Sequence, residues 1–277
     1  MTRPVEEGDK QRLANLIHFE TRVHRHLDWR TPLDWIGYQP FFLIERGTQI
    51  QAALACPPDP PSIAWIHLFA VASESDPLRA WNSLWPAALD VLYQAGCRTI
   101  VAISLQDWFR RLLLGSGFSL VNQVIMLEWD RPAIPTRIDL PAVKIRALEV
   151  PDLPILEALD RAAFGPIWHN SSDSLEFAFR QSAIATVAEV DGEIVAYQIS
   201  TTTQMGGHLA RLATRPDFQQ LGIGTALLQD LIREFVRRGA LRITVNTQQD
   251  NKSSISLYEK AGFVRTGESY PVYQFNN

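Results

Sequence analysis

From residue 185 onward the apolar positions change period in a way that sets out a series of elements. Segments 185–190 and 193–201 are rich in apolar residues and are separated by Asp191-Gly192. That dipeptide suits a two-residue hairpin turn, because both positions tolerate positive φ. A strand is expected over 208–214. Near Gly224 the spacing switches, and Leu227, Leu228, Leu231, Ile232, Phe235 and Val236 recur at i, i+3, i+4. This is one face of an amphipathic helix. Arg237 and Arg238 complement its C-terminal dipole, and Gly239 ends it. A strand over 241–245, a short helix from about 253 to 261 and a last hairpin through Gln274 complete the series.

The first half of the chain offers the same parts in the same order. Segments 41–45 and 49–55 pair around Gly47-Thr48, and 63–71 reads as one strand. A helix over 77–94 buries Trp81, Leu84, Trp85, Ala88, Leu89 and Leu92. Then come a strand over 99–104, a short helix over 106–114 and a strand over 120–129. LLLGSGF at 112–118 echoes LYEKAGF at 257–263, an offset of 145 (257 − 112). Helices alternating with strands in this way predict two tandem α/β units of similar fold, the product of a duplication. The length of 277 residues agrees with two domains at about 150 residues each. Between them, 130–141 holds three prolines in twelve residues and reads as a semi-rigid linker. The expected domains are therefore 1–130, a linker at 131–141, and 142–277.

Hydrophobic residues make up 46% of the chain and charged residues 20%, which excludes disorder or coiled coil as the main state. With 26 Lys and Arg against 30 Asp and Glu, the net charge is −4. Its overall field attracts neither nucleic acid nor an anionic membrane. Cys56 and Cys97 lie in apolar stretches and build neither a disulfide framework nor a metal site. MTRPVEEGDK at the start is polar, and the longest apolar run, 63–72, is too short to span a bilayer, which takes ~20 residues. These features lead us to expect a cytoplasmic protein.

One segment, HLARLATRPDFQQLGIGTALL at 208–228, carries chemistry. A strand runs into Arg215-Pro216, and Gln219-Gln220-Leu221-Gly222-Ile223-Gly224 opens the amphipathic helix. The glycines let the backbone approach a ligand, and the N–H groups of the first turn have no partners inside the helix. With the helix dipole, this loop makes a main-chain cradle for a pyrophosphate. Glycine spacing alone leaves a merely softened helix start as the alternative. The segment lacks the third glycine of a dinucleotide fingerprint and the Gly-Lys-Ser/Thr of a nucleotide-triphosphate loop.

Strand, turn, Gln219-x-x-Gly222-x-Gly224, helix, strand, Asn251 and Leu257-Tyr258-x-x-x-Gly262-Phe263 follow one another in an order that resembles the GNAT superfamily of acetyl-CoA-dependent N-acetyltransferases. The resemblance covers roughly 143–275. It implies that each unit is a mixed, mostly antiparallel twisted sheet flanked by helices, with acetyl-CoA between splayed fourth and fifth strands and no metal. It also implies roles. The backbone of Leu212, Ala213 and Thr214 would hold the pantetheine arm and the thioester carbonyl. Gln219, Gln220, Leu221, Gly222, Ile223, Gly224 and Thr225 would surround the pyrophosphate, and Asn251 would bond the cofactor arm. Tyr258 would give a proton to the departing thiolate, as a phenol of pKa ~10 can for a thiolate of pKa ~8.5 held against it.

Two departures stand out. Members that acetylate protein N-termini often carry a glutamate on the fifth strand, where this chain has Asn246, which takes no proton. Glu189 and His208 are the candidate bases by strand position. In the first half, the loop matching 219–224 is 72–77, which has no glycine and carries Glu74 and Asp76, and Leu113 stands where Tyr258 would. The first half is therefore expected to be a degenerate copy without a cofactor site. Phe164 and Trp168, between the first two helices of the second half, are candidate walls of an acceptor pocket, with plain core packing as the alternative. The function expected is acetyl transfer to a small-molecule or peptide amine. The competing reading is a non-catalytic acyl-CoA binding or sensing protein.

Overall fold

The computed structural model describes residues 2–130, 136, 140–203 and 206–276. Two compact units divide the chain: Met1–Asn122 with Tyr270–Asn277, and Gln123–Ser269. In chain order the elements are β1 (Thr2–Pro4), α1 (Lys10–Phe19), β2 (Arg22–Arg25), β3 (Phe41–Arg46), β4 (Gln49–Ala55), β5 (Ile63–Trp65), β6 (Leu68–Val71), α2 (Pro77–Gln94), β7 (Thr99–Ile103), α3 (Asp107–Gly115), β8 (Phe118–Trp129), β9 (Val143–Ala147), α4 (Leu153–Ala163), α5 (Ser172–Arg180), β10 (Ile184–Val190), β11 (Glu193–Thr203), β12 (Gly206–Thr214), α6 (Ile223–Arg237), β13 (Arg242–Gln248), α7 (Lys252–Lys260) and β14 (Val264–Phe275). The fold is the expected mixed α/β arrangement in two similar halves. Asp191 and Gly192 both take positive φ (52° and 83°), as the β10–β11 hairpin requires.

Both units are fastened at their start by the same three side chains. In the first, Arg3 on β1 donates to Asp9 and to Glu45 on β3, each at 2.7 Å. In the second, Arg146 on β9 donates to Asp152 at 2.6 Å and to Glu189 on β10 at 2.7 Å. Glu45 and Glu189 each sit where their hairpin changes register. The underlying pattern, Arg3-x-x-Glu6-x-x-Asp9 against Arg146-x-x-Glu149-x-x-Asp152, is legible in the sequence at an offset of 143 (146 − 3), although the hydrophobic periodicity does not reveal it.

In the second unit β9, β10, β11 and β12 follow one another antiparallel, and β13 lies parallel to β12. That parallel pairing runs from Gly206↔Arg242 to Leu209↔Val245 and stops. On its opposite edge β13 pairs with β8 throughout, from Ile243↔Trp129 to Gln248↔Val124. The first unit repeats the geometry at the same offset of 143: β5 lies parallel to β7 from Ile63↔Thr99 to Trp65↔Val101. There, however, the next stretch, β6, is paired along Arg22↔Val71 to Arg25↔Leu68 with β2. β6 is the counterpart of 211–214 in β12, so β2 occupies the place that β12 leaves open.

Three expectations change. The segment 63–71 is two strands broken at Ile66-His67, because β5 pairs with β7 and β6 turns to β2. The last hairpin is instead the single strand β14, because its final residues continue straight into pairing with β7. The units also divide at Asn122 and Ser269, not at the prolines, since 124–129 pair with β13 and 272–274 with β7. Pro132 and Pro135 of the expected linker lie outside the described residues.

β2 places histidine in the interior. His24 is buried, its Nε2 lies 3.0 Å from the Ile66 carbonyl oxygen, and its ring stacks on Phe109 at 4.0 Å. His26 stacks on Trp65 at 4.7 Å and His67 on Trp35 at 4.1 Å, with Arg30 over the far ring of that group at 4.5 Å. Burial pushes His24 down to about 4, His26 down to about 3, and His67 well below the usual histidine range. An unfolded histidine takes up its proton near 6.5, so acidification below that value favours the unfolded chain. Asp28, pushed up to about 6 by burial with Asp59 adding to it, acts the other way between 3.8 and 6. Three rings outweigh one carboxyl. The first unit should therefore melt at lower temperature at about pH 5 than at pH 7.5, with faster amide exchange in β2. Calorimetry and hydrogen exchange on the whole chain check this, and melting that does not change with pH contradicts it.

Candidate active site

The opening between β12 and β13 is set by how closely the strands meet at their start. A Cβ on Gly206 would lie 1.9 Å from the Arg242 carbonyl oxygen, and one on Gly207 would lie 2.5 Å from the Phe235 ring of α6. The two glycines permit this close approach. Past Leu209 and Val245 the strands part. The 211–214 stretch is held on one side by β11, through Ile199↔Arg211 to Ala196↔Thr214, and on its other side no strand among the described residues pairs with it. Backbone polar groups seek partners, so a strand with one free edge is prepared for an extended ligand. Leu212, Ala213 and Thr214 lie on this stretch, as expected.

The strand then enters a turn braced by Gln219, whose Nε2 donates to the Thr214 carbonyl at 3.0 Å. Gln220 (φ 62°) and Gly222 (φ 86°) take left-handed backbone, and Gly222 is the residue that starts α6. Gly224 faces Thr214, with Oγ1 3.6 Å from where a Cβ would sit. The first bond of the helical ladder is Ala226 N–H to the Gly222 carbonyl, at 2.9 Å. The N–H groups of Ile223, Gly224 and Thr225 therefore precede the ladder and stand at the positive end of the helix dipole. Ile223 itself is buried and Leu221 is exposed, so the loop is anchored on one side and open on the other.

Tyr258 on α7 is buried in the cluster formed by Leu209, Val245, Ile255 and Phe263. Burial pushes its phenol well above the usual range, and the positive charge of Arg211 pulls the other way. Asn251 caps α7: its Oδ1 accepts from Ser254 N–H at 3.2 Å and from Ser253 Oγ at 3.0 Å, while Nδ2 donates to Gln248 at 3.3 Å. One amide hydrogen remains for a ligand. On β13, the Oδ1 of Asn246 is buried without a partner. Of the candidate bases, Glu189 is engaged by Arg146 and Lys144. His208 sits one pair before the strands part, with Nδ1 2.8 Å from Thr244 Oγ1, and burial lowers its pKa, which keeps the ring neutral.

Phe164 and Trp168 do come to the sheet, through residues that periodicity did not flag. Asp160 on α4 and Arg211 on β12 form a two-pronged ion pair, Nε to Oδ2 and Nη2 to Oδ1, both at 2.7 Å. Arg211 also donates to the Trp168 carbonyl at 2.8 Å and lies over the Phe164 ring at 3.5 Å. The clue in the sequence was a charged residue among core positions, Asp160 after Leu156 and Leu159, and Arg211 between Leu209 and Leu212.

Comparison with known proteins agrees with this geometry. The family model described as "Acetyltransferase (GNAT) family" matches residues 153–263. A [ribosomal protein bS18]-alanine N-acetyltransferase from Escherichia coli K12 is 30% identical over 121 residues, which are 43% of this chain and 79% of that protein. The chain belongs to the GNAT acetyltransferase family. Solved GNAT structures extend the likeness of fold along the whole chain. A GCN5-related N-acetyltransferase from Sphaerobacter thermophilus superposes with a TM-score of 0.66 at 16% identity, covering 99% of this chain and 94% of that one. A tandem GNAT protein from the clavulanic acid biosynthesis pathway does so with a TM-score of 0.68 at 13% identity, covering 99% and 97%.

The GNAT family uses acetyl-CoA, and the second unit fits it. The free edge of 211–214 suits an extended arm carrying amides, and the left-handed turn at Gly222 with the start of α6 suits a pyrophosphate. Among the described residues no group of His, Cys, Asp and Glu is placed to hold a metal, and no helix is long and apolar enough to cross a membrane. The glycine contacts generate a prediction. Gly207→Ala should destabilise the second unit by about 1–3 kcal/mol by driving into Phe235, and Phe235→Leu should restore part of the loss. Denaturant titration of both variants measures this, and an unchanged midpoint for Gly207→Ala refutes the close approach.

Proposed function

We propose that this GNAT chain moves an acetyl group from acetyl-CoA directly to an amine, using its second unit alone and Tyr258 as general acid. One observation carries the reading: among the described residues the edge of 211–214 has no partner strand, whereas its counterpart in the first unit is paired with β2. Acetyl-CoA, when bound, supplies the activated acyl group. Backbone groups of Leu212, Ala213 and Thr214 take up its arm, and the N–H groups of Ile223, Gly224 and Thr225 face its pyrophosphate. Tyr258 keeps its proton at neutral pH because burial disfavours the phenolate, and it offers that proton to the leaving sulfur. Asn246 cannot take the proton of the amine but can orient it, and the neutral ring of His208 can take it. A relative named for the alanine of ribosomal protein bS18 supports an amine acceptor and makes an alanine-starting peptide the first one to try.

Tyr258→Phe should lower turnover by about 10²–10⁴-fold while acetyl-CoA affinity stays within about threefold. A sensor without chemistry would show no transfer in the unaltered chain across a panel of amines, and that result would end the enzymatic reading. For the cofactor, calorimetric titration should give one acetyl-CoA per chain. Gly222→Glu should abolish that binding, and Glu74→Lys should leave it intact. Two sites per chain, or equal losses from both changes, would count against a single live unit.

A further inference from the structure

The ion pair between α4 and β12 does more than join a helix to a sheet. Asp160 is fully buried, and its carboxylate also accepts from the Tyr197 hydroxyl and from the Asn170 N–H, the latter at 2.7 Å. Together with the Trp168 carbonyl and the Phe164 ring, the loop from 164 to 170 is thus held at three points by Arg211 and its partner. Arg211 comes immediately before the stretch whose edge is free. Arg211 also acts electrostatically on Tyr258. The loop itself holds two polar atoms buried without partners, His169 Nδ1 and Asn170 Nδ2, and β13 holds another, Asn246 Oδ1. Such atoms are costly until a matching group arrives.

Packing does not require this cluster of charges. At the offset of 143 that relates the units, Asp160 corresponds to Ile17 and Arg211 to Leu68, and Tyr197 corresponds to Ala53 at 144. Ile17, Ala53 and Leu68 all belong to one apolar core. The same position in the same fold is therefore filled by plain hydrophobic packing where the strand edge is closed by β2. A buried ion pair is seldom more stabilising than apolar side chains of like volume. What distinguishes the second unit is the free edge beside it.

We infer that Arg211 is a positioning residue that joins the 164–170 loop to the acyl-CoA strand, so that filling the strand's free edge orders this loop, whose Phe164 and Trp168 are the candidate walls of the amine's pocket. This rests on the acetyl transfer proposed above. Burial works against the charge of Arg211, but Asp160 and Tyr197 raise its pKa, so it stays a cation whatever the loop does. Occupation of the edge stiffens 211–214, and the two-pronged bond to Asp160 with the bond to Trp168 carries that stiffening into the loop. Acyl-CoA and amine should then bind with positive coupling, of about fivefold or more.

The test is hydrogen exchange at 165–170 in the whole chain, with and without acetyl-CoA. In the unaltered chain acetyl-CoA should slow exchange there by about fivefold or more. A variant that takes the first unit's residues at two positions, Asp160→Ile with Arg211→Leu, and removes the remaining hydroxyl by Tyr197→Phe, should fold and bind acetyl-CoA within about threefold of the unaltered chain, yet lose that protection. Its KM for an alanine-starting peptide should rise about tenfold or more, with kcat less affected. Arg211→Lys, which keeps the charge and loses the fork, should also lose loop protection. Protection that persists in both variants, or that acetyl-CoA never produces in the unaltered chain, overturns the inference. A chain that shows the loop response but transfers to no amine overturns the proposed function and leaves the coupling standing.

Discussion

Everything distinctive about this molecule depends on a parallel pairing that stops too soon. Two strands that stay together satisfy each other's backbone groups, whereas strands that part leave a row of donors and acceptors that something else must meet. Gly206 and Gly207 permit the close approach at one end, and the turn toward α6 carries β12 away at the other. The first unit meets the same demand internally, by laying β2 along β6. Among the described residues the second has no such strand, and in that unit alone the adjoining loop carries Gly222 and Gly224.

Filling the edge from within has consequences of its own. β2 brings His24 under the sheet and Phe109 over its ring, and the neighbouring loop brings His26 and His67 into contact with Trp65 and Trp35. The closed edge is thus joined to a cluster of rings that must remain neutral. The open edge is joined to a cluster that must remain charged, Asp160 with Arg211. The two units share a backbone plan and differ in what lies beside the same four residues of the same strand.

Much of this was legible in the sequence, and the reasons are local. The α6 helix, its glycine stop and the Asp191-Gly192 turn follow from spacing and backbone preference, and the structure has them within a residue or two. The Gly222 loop was legible because only a few residue types tolerate its conformation. What escaped was non-local. Nothing in Arg22-Val23-His24-Arg25 announces a strand, since it alternates weakly and becomes one by pairing with β6. The break at Ile66-His67 is silent because both halves are apolar. The grip of Arg211 on the 164–170 loop joins residues about fifty positions apart, and the sequence shows only that two charges occupy core positions.

The duplication also ranks the proton-handling candidates by an argument that needs no ligand. A feature found in both units cannot be explained by chemistry that only one is equipped for. Glu189 has its match in Glu45, each bonded to the arginine of the first strand, so its role is to fasten that strand. Asn246 matches Ile103, His208 matches Trp65 and Tyr258 matches Leu113. In each case a polar side chain in the second unit stands where the first has an apolar one. Buried polar groups are not retained for packing when an apolar residue serves the same place in the sister unit. These three polar side chains therefore set the second unit apart from the first, in which β2 fills the edge.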